Sequence, residues 1–291
     1  MYKIAVLGAT GLIGSWVYKV FQNKGYQTVG TGFDNTTNDL VKLNIGDFHQ
    51  LEKFINLEQP NVLVNCAGKV SRPISNTEKT ETEIANLAGV KNIANLCIKN
   101  RIKLIHFSTI VVHDGKKTSP YLEEDEPTEK PGDEINRTKS EAELFAESVP
   151  DSVIIRLGDT YGYNQRNPDS IGGESFRLAY NTLKQGQEFF VYKVKANKTL
   201  ISDLGTVVFE LFKKNYKGRI NVGGEAIENY DFVTKMKKNL NLSGKITPQT
   251  PPAGYPLHKL LDLSKMNDLG IKLHSVDEGL KILYSRMGIK L

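Results

Sequence analysis

The chain alternates short apolar runs with stretches whose apolar residues recur every three or four positions. Lys3-Ile4-Ala5-Val6-Leu7 reads as a buried strand, and residues 12–24 place Leu12, Ile13, Trp16, Val17, Val20 and Phe21 at helical spacing. Gly25 marks the end of that helix. The pattern then predicts a second strand at 26–31, a short third at 41–45, a helix at 47–56 and a fourth strand at 62–65. A long amphipathic helix at 80–99, a fifth strand at 103–107, a helix at 137–148 and a sixth strand at 152–157 follow. The strands are continuous apolar runs rather than alternating ones, which suits a sheet covered on both faces. Strand–helix alternation of this kind predicts an α/β fold built on a doubly wound parallel sheet.

After residue 163 the alternation weakens. Residues 164–173 form a polar loop pattern. Helical spacing resumes at 174–184, 203–215 and 229–241, with short strand patterns at 189–194 and 219–222. A proline-rich loop covers 248–256, and short helices are predicted at 262–269 and 275–286. The expected organisation is a dinucleotide-binding domain over 1–163 and a smaller C-terminal α/β substrate lobe over 164–291, part of which re-enters the main domain.

Composition changes this picture little. The 291 residues are 39% hydrophobic and 24% charged, which excludes disordered, collagenous and coiled-coil classes. The net charge of +5 is scattered, and without a one-sided basic patch no nucleic-acid partner is expected. Cys66 and Cys97 lie in apolar runs and make no disulfide framework, so a reducing cytoplasm is the expected location. No signal-peptide pattern opens the chain, and no run approaches the ~18 apolar residues of a membrane span. The histidines at 49, 106, 113, 258 and 274 form no pair at i, i+3 or i+4, so no metal site is expected.

The first strand runs into Gly8-Ala9-Thr10-Gly11-Leu12-Ile13-Gly14, where a helix opens. Gly8 permits the sharp turn, Gly11 lets a pyrophosphate approach the backbone, and Gly14 lets the helix pack on the strand. The N–H groups and dipole at the helix start then favour an anion. The spacing is Gly-x-x-Gly-x-x-Gly, not Gly-x-Gly-x-x-Gly. With Val62-Leu63-Val64-Asn65-Cys66-Ala67-Gly68, Phe107-Ser108-Thr109 and Arg156-Leu157-Gly158-Asp159-Thr160-Tyr161-Gly162 in order behind it, the chain resembles the extended short-chain dehydrogenase/reductase family. Ser108-Thr109-Ile110-Val111-Val112-His113-Asp114-Gly115, followed by Pro120-Tyr121-Leu122-Glu123-Glu124-Asp125, is similar to the dTDP-4-dehydrorhamnose reductase-like subgroup. That subgroup includes the regulatory beta subunit of methionine adenosyltransferase.

The resemblance implies a Rossmann-like fold and an NAD or NADP cofactor. It implies cofactor contacts from Gly8, Thr10, Gly11, Leu12, Ile13, Gly14, Asp34, Asn44, Ile45, Cys66, Ala67, Gly68, Ser108 and Lys139. It places Thr109 and Lys139 in the catalytic set, and Lys69, Thr109, Ile110 and Asp159 toward a nucleotide-diphosphate sugar. Asp34, after the second strand, would repel a 2′-phosphate and accept ribose hydroxyls, which favours NAD over NADP.

The family's acid is a tyrosine four residues before the lysine. Here that position is Ile135, in Ile135-Asn136-Arg137-Thr138-Lys139. An alkoxide left by hydride addition needs a proton, and an isoleucine cannot supply it; losing such a donor costs on the order of 10²–10⁴-fold. Ile110 and Val111 replace an Asp-Tyr pair, and Asp159 stands where the subgroup has a tryptophan. His113 and Tyr121 read as structural residues, and Asp133 and Glu134 as helix-start carboxylates. Two functions remain open. One is a nucleotide-sugar oxidoreductase of polysaccharide biosynthesis, reducing a 4-keto sugar. The other is a silenced, nucleotide-binding relative that serves a partner protein. A homodimer or a protein partner is expected in either case.

Overall fold

The computed structural model describes residues 2–33, 37, 39–69, 75–128, 130, 133–167, 169–252 and 255–286. In chain order the first elements are β1 (Lys3–Leu7), α1 (Leu12–Asn23), β2 (Gln27–Gly32), β3 (Leu40–Lys42), α2 (Phe48–Glu58) and β4 (Val62–Asn65). Next come α3 (Asn76–Glu83), a π-helical turn (Ile84–Ala88), α4 (Gly89–Asn100), β5 (Lys103–Thr109), a 3₁₀ turn (Ile110–Val112), α5 (Glu134–Glu147) and β6 (Ser152–Leu157). The later part holds β7 (Asp159–Tyr163), β8 (Ile171–Gly172), α6 (Glu174–Lys184), β9 (Phe189–Tyr192), β10 (Lys195–Leu200) and α7 (Asp203–Lys213). It ends with β11 (Gly218–Val222), β12 (Glu225–Glu228), α8 (Asn229–Asn239), β13 (Ile246–Gln249), α9 (Ser264–Asp268) and α10 (Val276–Arg286).

The chain divides into two units. The first comprises residues 1–113, 126–156 and 204–220; the second comprises 114–125, 157–203 and 221–291.

In the first unit the seven-stranded sheet runs β3-β2-β1-β4-β5-β6-β11, and the pairs from β3 through β5 are all parallel. The order reverses between β1 and β4, so the chain leaves these two strands for opposite faces of the sheet and a crevice opens at their carboxyl ends. One face of the sheet is sealed by α2, α4 and α5, through Leu51, Phe54, Val90, Ile93, Leu96, Ala142 and Ala146 against Leu7, Leu63, Leu104 and Ile154. On α1, Phe21 meets Phe209 and Phe212 of α7 edge to face at 5.9 and 5.6 Å, within the favoured range for aromatic pairs. β4 and β6 are buried at every position, as strands covered on both faces must be.

The helix expected at 80–99 begins earlier, at Asn76, where the Ser75 side chain accepts the Glu78 N–H as an N-cap. It is also broken by the π-helical turn. The third strand is shorter than expected, three residues rather than five.

The second unit carries a four-stranded sheet, β12-β10-β7-β8, and a two-stranded one, β13-β9. Its core is aromatic: Tyr161 stands 5.1 Å from Phe232 and 6.1 Å from Phe176. β7, β8, β10, β12 and β13 were not among the sequence expectations. Their stretches mix Lys, Asn, Asp, Thr and Gly, and apart from the local β7–β8 pair their partners are remote in sequence, so local periodicity carries no sign of them.

Candidate functional site

The glycine loop has the geometry its spacing implies. Gly8 sits at φ +74°, and the Gly11 N–H donates to Gly8 O at 2.9 Å, closing the turn. A Cβ on Gly14 would lie 2.2 Å from Gly8 O, so helix and strand approach as only glycine allows. A Cβ on Gly8 would lie 2.9 Å from the Ala67 backbone, which brings the loops after β1 and β4 together at the switch point. Gly11 is exposed, and its Cβ would meet only Gly8 O. As the N-cap of α1 it offers no side chain to the first-turn N–H groups, and that turn holds no acid. Those donors are left for an anion. Thr10, Leu12 and Ile13 are half-buried around the same turn. Asp34 lies outside the described residues.

The loop after β3 is built differently. Asn44 Oδ1 accepts the Gly46 N–H at 3.0 Å, an Asx turn, so the side-chain oxygen is occupied and the NH₂ group is the part that can meet a ligand. Ile45 is buried in the core, and its carbonyl accepts from Asn92 of α4. Any ligand contact from Ile45 is therefore a backbone contact.

Beyond β4, Asn65 Oδ1 accepts the Ala67 N–H at 3.1 Å. This fixes the amide so that Nδ2 donates to His106 Nδ1, also at 3.1 Å. His106 then carries its proton on Nε2, a buried atom without a hydrogen-bond partner. Burial first, and the Lys139 charge second, push the His106 pKa down to about 3, so the ring is neutral. Burial raises the Cys66 thiol far above its ordinary value. Further along the loop, Lys69 is clamped at both backbone groups by one side chain. Asn86, in the π-helical turn, accepts the Lys69 N–H at 2.7 Å and donates to the Lys69 carbonyl at 2.8 Å. The Lys69 ammonium itself pairs with Glu81.

Lys139 lies across Gly68: a Cβ there would be 3.1 Å from Lys139 Nζ and 2.9 Å from Asn86 Oδ1. The lysine is 7% exposed, and burial lowers its pKa to about 8. Ile135, one turn earlier on α5, is equally buried and apolar. Asp133 caps this helix by accepting the Asn136 N–H, and Glu134 pairs with Arg137, as acids at a helix start should.

At the end of β5 the neighbouring hydroxyls part company. Thr109 is half-buried, and its Oγ1 accepts the Val111 N–H at 3.3 Å. Ser108 is buried and donates to Glu143 Oε2, while Glu143 Oε1 accepts from Arg156 Nε at 2.9 Å. Glu143 and Arg156 are both 0% exposed. The Ser108 side chain thus belongs to a buried ionic network and not to an open surface. Ile110 is likewise in the core, at 4% exposure.

Asp159 belongs to the second unit. There it pairs with Lys198 at 2.8 Å across the β7–β10 register. His113 is buried, and Tyr121 donates to Asp114.

The first unit therefore gathers the glycine loop, Asn44, Ala67, Gly68, Thr109 and Lys139 at the carboxyl ends of parallel strands. Four residues of this region have no sequence expectation attached: Asn65, Asn86, His106 and Glu143. Polar residues in two apolar strands, Asn65 at the end of β4 and His106 in the middle of β5, were the one available signal. Among the described residues, no group of three metal-ligating side chains and no membrane-crossing helix is present.

The sequence profile of the family described as RmlD substrate binding domain matches residues 2–287. Methionine adenosyltransferase 2 subunit beta of Mus musculus is 26% identical over 282 residues, covering 92% of this chain and 83% of that protein. The probable low-salt glycan biosynthesis reductase Agl14 of Haloferax volcanii is 25% identical over 291 residues, covering 96% of each. Among solved structures, dTDP-4-dehydrorhamnose reductase from Bacillus anthracis in complex with NADP superposes with a TM-score of 0.83 at 18% identity, over 98% of this chain and 99% of that one. The Bordetella bronchiseptica enzyme WbmG in complex with NAD and UDP gives 0.82 at 21% identity, over 99% and 96%.

Proposed function

The chain belongs to the RmlD substrate binding domain family, and from that membership we propose that it is a nicotinamide-dinucleotide-binding oxidoreductase acting on a 4-keto nucleotide-diphosphate sugar. The observation that carries the reading is the glycine cradle: an added Cβ at Gly8 or Gly14 collides with backbone, while Gly11 leaves an uncapped helix start open. A dinucleotide's pyrophosphate fits that donor set. When bound, the nicotinamide supplies the hydride. The chain's own residues would do the rest. Gly11 and the first turn of α1 hold the pyrophosphate, the Asn44 amide meets the adenine end, and Lys139 binds ribose hydroxyls. The Thr109 hydroxyl orients the sugar carbonyl by donating to its oxygen. Lys139, desolvated with its pKa lowered to about 8, is the ionisable group on α5 nearest the position where Ile135 stands in place of a phenol. NAD is favoured over NADP on the Asp34 argument.

Ile135 favours a second reading, a partner-serving subunit that keeps the dinucleotide site without turnover. The relative from mouse bears the name of a subunit. One set of measurements separates the two. Calorimetry with NAD(H) and NADP(H) tests the cradle. Loss of NADH absorbance with dTDP- and GDP-linked 4-keto-6-deoxy sugars tests the chemistry, for the natural chain and for Ile135→Tyr. Turnover of the natural chain at an ordinary roughly 1–10³ s⁻¹ supports the oxidoreductase. Tight dinucleotide binding without turnover, with activity appearing only in Ile135→Tyr, supports the subunit. Absence of binding overturns both.

A further inference from the structure

In the second unit, the Asp159–Lys198 end of the β7–β10 pair carries an unusual charge set. Lys198 is 4% exposed, with its ammonium held 2.8 Å from Asp159 and 5.2 Å above the Phe232 ring. A third charge faces them. Lys259 donates to Tyr255 Oη at 3.2 Å and lies 4.8 Å above the Tyr255 ring, which in turn meets Tyr192 edge to face at 4.7 Å. The backbone fixes Lys259 in place: it bridges to Ala196 of β10, and two residues on the Leu261 N–H donates to Asn197 Oδ1 at 2.9 Å. Burial alone would raise the Asp159 carboxyl. The charges of Lys198 and Lys259 overcome that and hold it below the usual carboxylate range, so Asp159 is a carboxylate near neutral pH.

Two ammoniums and one carboxylate leave one positive charge. The carboxylate is already bonded to Lys198, and Lys259 donates to a phenol, with no carboxylate of the described residues within ion-pair distance. A folding core gains little from this arrangement, because burying an ionic pair is at best neutral against apolar side chains of the same volume. Two half-buried tyrosine rings beside the surplus charge give an apolar wall for a sugar ring.

We propose that Lys259, Lys198 and Asp159, with Tyr255 and Tyr192, form a subsite for the carboxylate of an acidic sugar carried on the nucleotide. This rests on the reading that the chain takes a nucleotide-diphosphate sugar. The single surplus charge matches a monoanion; a diphosphate would leave negative charge unmatched beside Asp159. The Lys259 ammonium donates to one carboxylate oxygen and the Tyr255 hydroxyl, already accepting from Lys259, donates to the other. Asp159 repels any second anion and sets the selectivity.

The test is calorimetry of the full chain with UDP-glucuronate, UDP-glucose and UDP, repeated with the dTDP-linked pair. UDP-glucuronate is expected to bind about tenfold tighter than UDP-glucose. Lys259→Met is expected to close that gap by weakening the glucuronate ligand alone, and Asp159→Asn to widen it by freeing Lys198. Equal affinity for the two sugars overturns the proposal. So does a Lys259→Met effect of the same size on both, which would put the lysine on the diphosphate. Free glucuronate and free glucose, compared at millimolar concentration by saturation-transfer NMR, read the subsite without a nucleotide. Glucuronate contact that Lys259→Met removes, with no binding of UDP or dTDP, keeps the subsite and overturns the nucleotide-sugar reading. No glucuronate contact and no nucleotide binding overturns both.

Discussion

Replacing Glu143 by alanine should destabilise the first unit severely. Glu143 accepts from Arg156 on one oxygen and from Ser108 on the other, and neither it nor Arg156 touches solvent. Without the carboxylate a fully buried guanidinium loses the carboxylate it is bonded to, and a buried hydroxyl loses its acceptor. Breaking a buried pair in this one-sided way costs about 3–5 kcal/mol. The orphaned Ser108 hydroxyl adds about 1–3 kcal/mol. Against a total stability of about 5–15 kcal/mol, the loss approaches the whole of it for an ordinary domain. Removing both charges is a different perturbation. Glu143→Leu with Arg156→Met removes both members of the pair and leaves Arg219, which also approaches Glu143 at 3.5 Å, to its partners Glu147 and Glu126; exchange of a pair for apolar groups of similar volume is roughly neutral. The double variant should therefore recover most of what Glu143→Ala loses. Trp16 is the chain's one tryptophan and lies on α1 of the same unit, so its fluorescence in a urea titration reports this unit. A Glu143→Ala loss below about 1 kcal/mol, the range of an exposed pair, would refute the reasoning, since it would mean that water reaches Arg156. So would a double variant as unstable as the single one. Dinucleotide binding gives a second readout, because Ser108 precedes Thr109 at the strand end that lines the site.

Lys139 gives a pH signature. Its folded pKa of about 8 lies below the ordinary lysine value of 10.5, so the unfolded chain holds the proton more tightly, and stability rises with pH between those two values. Lys139→Met should accordingly be more stable than the natural chain by about 3 kcal/mol at pH 7, from a shift of ~2.5 units at 1.36 kcal/mol each, with the difference closing toward pH 10.5; chemical denaturation across that range checks it, and equal stability at pH 7 refutes it. Gly14→Ala forces a Cβ to within 2.2 Å of Gly8 O, so α1 must shift off the strand; calorimetry should show loss of NAD(H) binding at least tenfold, and unchanged binding would sink the role given to the turn. Burial drives the Cys97 pKa up to about 12, so this thiol should not react with a disulfide reagent at pH 8 until the chain is unfolded in urea; the half-buried Cys66 serves as the comparison.

Much of the first unit was legible because its signals are local. Gly8, Gly11 and Gly14 act on each other within seven residues, and the strand and helix beside them show their own periodicity. The turn could be read from sterics alone. Lys139 and Ile135 were legible for the same reason, since four residues on a helix share one face. Ser108 was not. It stands beside Thr109 in sequence, but successive strand residues point to opposite faces, and Ser108 turns into the ionic network while Thr109 stays half-exposed. The π-helical turn at Ile84–Ala88 is invisible in composition, as it is the local adjustment that goes with Asn86 reaching the Lys69 backbone 17 residues away.

What the sequence by itself determined is the order of strands and helices in the first unit, the glycine turn at the first strand's end, and the absence of a phenol one turn before Lys139. Each depends on residues within a few positions of one another, where backbone sterics and side-chain periodicity act directly. What only the tertiary structure decided are the partnerships across long stretches of chain. Asn65 with His106, Ser108 with Glu143 and Arg156, and Asp159 with Lys198 and Lys259 are such sets. Their energies come from exclusion of water around paired polar groups, and burial exists only once distant segments have packed. The short polar strands of the second unit belong to the same class: their hydrogen-bond partners define them, and those partners are chosen by the folded chain.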